Sequence, residues 1–283
     1  MTAFVARPPE PRWRRASPSH PRRVFLLFWL LGSLLFAFIA IPLVALGLSS
    51  SVASLGRMAA TLDVRQSLAL SVEAAFLTAG VAALLGVPLA YLLARADFPG
   101  KGIIAAIIDL PLAVPHTVAG IALLMVFGRR GFLGEPANAL LGVKFWGTMA
   151  GIVVAMLFVS APYTVNAARI GFEAVDPRLE KVARTLGMGP WRTLFSVTLP
   201  LSWRSIMTGI TLTYARAISE FGAVILLVYY PMTAPVRIYE LFLRYGLDDA
   251  AAAAVLLLIL SLASFVVLRY FAYGRGDPLS GGR

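Results

Sequence analysis

The 283-residue chain is 59% hydrophobic and only 14% charged, where an ordinary soluble domain is about 25% charged. Its apolar residues fall in long unbroken blocks rather than at helical or alternating spacing, which excludes a water-soluble fold. The formal net charge of +11 has no polar, aromatic-interleaved domain to sit on, so it does not indicate nucleic acid, and the absence of cysteine excludes disulfides, Fe–S clusters and Cys-based zinc sites.

Residues 1–23 hold five prolines and six arginines with little apolar content, a composition that predicts a disordered basic arm. Val24 to Leu48 contains no charge and at about 1.5 Å per residue is long enough for a bilayer core of about 30 Å. It is too long for the apolar region of a cleaved signal peptide and predicts a retained helix. Further spans are predicted at about Leu68 to Ala94, Ile103 to Phe127, Phe145 to Val165, Ser205 to Val228 and Ala250 to Leu268, making six in an all-α domain over 24–272 with a tail at 273–283. Prolines at 42, 88, 111, 115 and 162 fall inside these segments and predict kinks rather than ends. With both termini cytoplasmic, the inner segments carry 17 Lys and Arg against 7 in the outer loops, the asymmetry that positively charged loops impose.

The long polar segment 166–204 reads as helix, turn, helix on the cytoplasmic side. Asp176 and Pro177 supply an N-cap and a first helical residue, and Leu179, Val182, Ala183 and Leu186 follow as an apolar stripe. Gly187, Gly189 and Pro190 break that helix. Trp191 to Val197 then forms a second short amphipathic stretch before Leu199 and Pro200. A compact helical hairpin with an apolar stripe suggests a docking surface for a soluble partner.

Within the fifth span Arg216 and Glu220 lie four apart on one helix face, and an ionisable side chain there is costly unless it meets a partner or a water-filled cavity. Ser205, Gly209 and Thr213 continue the stripe with small and polar residues suited to close helix packing or to lining a path. Asp109, Pro111, Pro115 and Thr117 sit early in the third span, where an interrupted helix could free backbone N–H groups for an anion, or simply kink. His116 reads as a proton relay, a ligand or a satisfied packing residue. There is no phosphate-binding G-x-x-x-x-G-K, no G-x-S-x-G elbow and no H-E-x-x-H pair. No catalytic or metal site is therefore expected.

The spacing of Ala183, Gly187, Val197, Leu199 and Pro200 resembles the EAA loop of type I ABC-importer permeases, with Glu180 one position early and Lys181 where the pattern has glutamate. PLAYLLARADFPG (88–100), DLPLAVPHTVAGIALL (109–124), FGRRGFLG (127–134) and RAISEFGAV (216–224) are similar to the molybdate, tungstate and sulfate branch, and the resemblance runs from about Ser67 to Arg269. It implies a proline where His116 stands. It further implies a homodimer in the cell (inner) membrane, two ABC ATPase subunits that hold ATP and Mg, an extracytoplasmic binding protein, surrounding lipid, and inward movement of a tetrahedral oxyanion. The coupling residues it implies are Glu180, Lys181, Ala183, Leu186, Gly187, Gly189, Pro190, Leu199 and Pro200. An ion-coupled secondary transporter, which would usually show inverted repeats and more helices, and an intramembrane enzyme are the other classes weighed.

Overall fold

The computed structural model describes residues 22–273, with side chains from 24 to 270. Apart from Arg22, Arg23 and Tyr273, the basic arm and the tail expected at the two ends lie outside the described residues. Thirteen α-helices and no strand occur among the described residues. The chain forms two units, Met1–Ser49 and Ser50–Arg283. The first contains α1 (Arg22–Ser49), uncharged from Val24 onward and long and apolar enough to cross a membrane. The second contains α2 (Val52–Ala60), α3 (Leu62–Arg95), α4 (Lys101–Ala113), α5 (His116–Phe127), α6 (Gly134–Leu141), α7 (Met149–Glu173), α8 (Pro177–Thr185), α9 (Pro190–Thr193), α10 (Leu199–Ile218), α11 (Gly222–Leu227), α12 (Ala234–Tyr245) and α13 (Leu247–Tyr273).

The core of this second unit is α3, α7 and α10. Lipid tails are as apolar as leucine, so these helices gain by close approach rather than by leaving water, and small residues permit it. The buried face of α3 is Ala74, Ala75, Thr78, Ala79, Ala82, Gly86 and Ala90, and that of α7 includes Gly151, Ala155, Ser160, Thr164, Ala168 and Gly171. Larger groups fill the gaps in two clusters. Ile152, Met156, Val159, Tyr214 and Ile218 belong to one, and Leu93, Val165, Phe172 and Ile206 to the other.

Four single helices are long and apolar enough to span: Val24–Ser49, Leu62–Arg95, Met149–Glu173 and Leu247–Tyr270. Among the described residues this makes four spans, or five if the bent pair α4–α5 is one, against the six expected. The third expected span is α4 and α5, bent by 115° across Val114 and Pro115. Pro42, Pro88, Pro111 and Pro162 stay inside helices as expected, but Pro115 ends one. It has no N–H to continue the ladder and drives Val114 into extended backbone at φ −80°, ψ 131°. The fifth expected span stops at Ile218 and restarts at Gly222, because the Glu220 carboxylate accepts from Ala223 N–H at 2.9 Å and starts a new helix.

Candidate functional site

Two regions carry the polar chemistry. The first is the hairpin between α7 and α10, at the end of the bundle where α3 and α7 finish. Asp176 caps α8 by accepting from Arg178 N–H at 2.8 Å, with Pro177 at the first helical position. At the other end Met188 N–H donates to Ala183 C=O at 3.1 Å and Gly187 N–H to Arg184 C=O at 3.0 Å, the paired bonds of a Schellman stop. Gly187 takes φ +85°. Gly189 and Pro190 then start α9, which passes through a π-helical turn at Leu194–Thr198 into α10, where Leu199 and Pro200 form the first turn.

Fixing the turn at Gly187 sets the rotational phase of α8. Glu180 and Ala183, three apart, face the body and are 7% and 5% exposed, whereas Lys181 and Leu186 face outward. Glu180 Oε1 accepts from Arg95 Nε at 2.9 Å and from Thr198 Oγ1 at 2.9 Å, while Arg95 Nη2 donates to Val175 C=O at 2.9 Å. One carboxylate thus joins the end of α3, α8 and the π-helical turn. The sequence showed the glutamate but not its partners; Arg95 was legible only as a topological charge. Of the four-residue stripe, Ala183 turns inward. Leu179, Val182 and Leu186 turn outward beside Trp191 and Phe195, with exposures from 47% to 76%, and the two aromatic rings stack 6.4 Å apart. This apolar surface is the part of the hairpin that can receive a partner.

No atom lies within 4 Å of a Cβ built on Gly187, so Gly187→Leu meets strain from positive φ alone, about 1–2 kcal/mol. We expect it to weaken the α8 stop and, on the coupling role that the importer resemblance implies, to lower ATP-driven transport more than it lowers thermal stability. Gly187→Asn, which tolerates the left-handed region, should recover most of the transport. Uptake by the leucine variant equal to wild type would show that this turn does not couple.

The second region lies where the two broken helices meet. A Cβ on Gly222 would approach His116 Cβ to 2.8 Å, and one on Gly120 would approach Ala223 Cα to 3.0 Å, so α5 and α11 run side by side from their N-termini. Arg216 Nη2 donates to Glu220 Oε2 at 2.8 Å, and the Glu220 side chain is 1% exposed. The same Nη2 lies 2.8 Å from His116 Nε2 and 3.2 Å from Nδ1. An approach along either ring lone pair would leave the other nitrogen far outside hydrogen-bonding distance, so the guanidinium sits over the imidazole face. His116 Nδ1 is also 3.5 Å from Glu220 Oε2. The histidine is therefore neither a lone packing residue nor part of a metal cluster; no group of three metal-ligating side chains occurs among the described residues. Its partnership with Arg216 was missed because 100 residues separate the two.

The remaining candidates divide. Asp109 Oδ1 accepts from Asn166 Nδ2 at 2.6 Å and pins α4 to α7. Pro111 is buried within α4, Pro115 caps α5, and Thr117 is exposed in its first turn. Ser205, Gly209 and Thr213 face α7: a Cβ on Gly171 would come within 2.5 Å of Ser205 Cβ, and one on Gly209 within 3.0 Å of Thr164 Cα. Thr213 Oγ1 donates to Ser160 C=O at 3.0 Å and lies 2.6 Å from Thr164 Oγ1. That stripe is a helix-packing face in this structure.

The sequence matches the family described as the inner membrane component of binding-protein-dependent transport systems over residues 86–278. It is 46% identical over 246 residues to the molybdate/tungstate transport system permease protein WtpB of Thermococcus kodakarensis, covering 86% of this chain and 94% of that one. It is 38% identical over 192 residues to the molybdenum transport system permease protein ModB of Escherichia coli K12, covering 66% and 84%. In fold it is similar to a chain of a bacterial ABC transporter that imports the acidic polysaccharide alginate, with a TM-score of 0.69 and 15% identity over 90% of this chain and 98% of that one. With its helical architecture, its outward apolar hairpin and no nucleotide-binding loop of its own, the chain belongs to the binding-protein-dependent transport family, as a multi-pass permease subunit of an ABC importer that leaves ATP hydrolysis to a partner.

Proposed function

We propose that this permease carries a tetrahedral oxyanion, molybdate or tungstate before sulfate, inward across the cell membrane. The observation that carries the reading is 46% identity to a permease named for molybdate and tungstate, over 94% of that protein's length. Two copies line a path between them, two ATPase subunits bearing ATP and Mg dock on the Leu179–Val182–Leu186 face and its Trp191 and Phe195 flank, and an extracytoplasmic binding protein delivers the anion. Both termini lie in the cytoplasm, as the charge asymmetry requires. Closure of the ATPase pair pushes α8. Through Glu180 the push reaches α3 and α10, and the path alternates because each state makes its own contacts.

The test is reconstitution of the permease with its ATPase and binding protein in proteoliposomes. ATP-dependent tungstate uptake, competed by molybdate and only weakly by sulfate, is the expected result, with protease reaching the chain terminus at residue 283 only from the ATPase side. Uptake that proceeds without the ATPase on an ion gradient would replace this reading with a secondary transporter.

A further inference from the structure

We propose that the ATPase groove receiving the hairpin between α7 and α10 is rimmed with carboxylates, and that they pair with a row of cations on α8. The inference rests on the ATPase docking proposed above and adds the chemistry of the surface that meets the hairpin. Three rows of side chains run along α8. Glu180 and Ala183 form the inner row and are buried. Leu179, Val182 and Leu186 form an apolar row, and Arg178, Lys181 and Arg184, repeating every three residues, form a basic row beside it; all six are exposed. Arg192 on α9 adds a fourth exposed cation.

The sign of the outward face follows from what each charge already holds. Segment 174–199 contains two acids, Asp176 and Glu180. Asp176 accepts from the Arg178 N–H, and Glu180 is withdrawn into the body by Arg95 Nε and Thr198 Oγ1. The side chains of Arg178, Lys181, Arg184 and Arg192 have no ion pair or hydrogen bond among the described residues. The hairpin therefore presents an uncompensated positive face. Nothing within the helix favours it: like charges three apart repel, and Arg178 stands in the first turn of α8, where the helix dipole opposes a cation. Retention of positive loops in the cytoplasm accounts for the number of these cations but not for their alignment in one row.

Direction separates a protein partner from the membrane surface. The groups around Glu180 are Arg95, the last residue of α3, Val175, two residues beyond α7, and Thr198, just before α10. The inner row of α8 thus lies on the ends of three helices, and the other two rows point away from the bilayer. A face that is part apolar and part basic, turned to water rather than to headgroups, fits an apolar groove with acidic walls. The apolar row fills the desolvated centre, and the cations form the rim that fixes orientation.

Lys181 is the only lysine in 166–204, which makes the pairing chemically addressable. With the permease in nanodiscs of neutral lipid and its purified ATPase, a zero-length carbodiimide is expected to form an amide between Lys181 Nζ and an ATPase aspartate or glutamate, mapped by mass spectrometry. Lys181→Arg should keep the association and lose the cross-link. The wild-type dissociation constant is expected to rise about ten-fold between low salt and about 1 M, where the Debye length is about 3 Å. Lys181→Glu should weaken binding at low salt about five-fold, as an exposed attraction becomes a repulsion, and Lys181→Gln by less; at high salt the variants should converge. Wild-type binding indifferent to salt, wild-type affinity in Lys181→Glu, or no cross-link from Lys181 to an ATPase carboxylate overturns the proposal. So does a Lys181→Glu effect that appears only when the nanodisc contains anionic lipid, which would give the cations to the membrane. The cross-link and the salt series use the wild-type chain and decide even if Lys181→Glu does not assemble. Failure of the docking reading itself looks different: the wild-type permease then binds the ATPase at neither salt concentration.

Discussion

Glu220→Gln is expected to lower the stability of the folded permease by about 3 kcal/mol and Arg216→Met by about 5 kcal/mol, the two ends of the range for breaking a buried ion pair. The order follows from exposure. With glutamine at 220 the stranded cation is Arg216, at 23% side-chain exposure and able to recover some water; with methionine at 216 the stranded group is the Glu220 carboxylate, at 1%. Glutamine can still accept from Ala223 N–H through its carbonyl oxygen, so the start of α11 survives, but its NH2 then opposes Arg216 Nη2, donor against donor. The double variant removes both charges and should be more stable than either single one. Thermal unfolding of the purified chain in detergent, with size-exclusion chromatography for assembly, checks all three. Single variants that unfold at the wild-type temperature would mean that the pair is not buried in the working protein.

Gly209→Ala should destabilise, against the usual sign for its class. Within a helix, alanine is normally favoured over glycine by about 1 kcal/mol. Here the added Cβ would stand 2.9 Å from Ala167 Cβ, 3.0 Å from Thr164 Cα and 3.0 Å from Tyr163 C=O. Two of those three atoms are backbone of α7 and cannot swing aside, so the helices must separate. Overpacking of this kind costs about 1–3 kcal/mol, which exceeds the propensity gain. Gly209→Val adds two methyl groups to the same contact and should lose more. A higher melting temperature for Gly209→Ala would show that α7 and α10 do not pack this closely.

Much of the local structure was legible because it rests on chain-local chemistry. Asp176 and Pro177 start α8 and Gly187 stops it for reasons that concern a few adjacent residues, and the unbroken apolar blocks give the long helices. The four-residue spacing of Arg216 and Glu220 gave their pairing. The breaks were less legible. Five prolines looked alike in sequence, yet four sit inside helices whose neighbours absorb the missing bond, and only Pro115 ends one. The stop at Ser219 depends on a side chain, Glu220, taking over a backbone donor at Ala223, which apolarity alone conceals. Least legible were the long-range partners. Glu180 meets Arg95 and Arg216 meets His116 because of how α3, α5 and α10 cross, and no periodicity within one helix encodes that.

The Glu180 clasp has a mechanical consequence. It grips the last residue of α3, a helix of 34 residues without a break, and through Thr198 the turn that leads into α10. A load applied at α8 therefore enters two stiff struts at once. The first runs continuously for about 50 Å, with Pro88 as its one interior proline. The second ends at Ser219, against the joint formed by α5 and α11. Continuous members transmit and jointed members yield, so deformation concentrates at the two breaks, α4–α5 and α10–α11, where the polar side chains are.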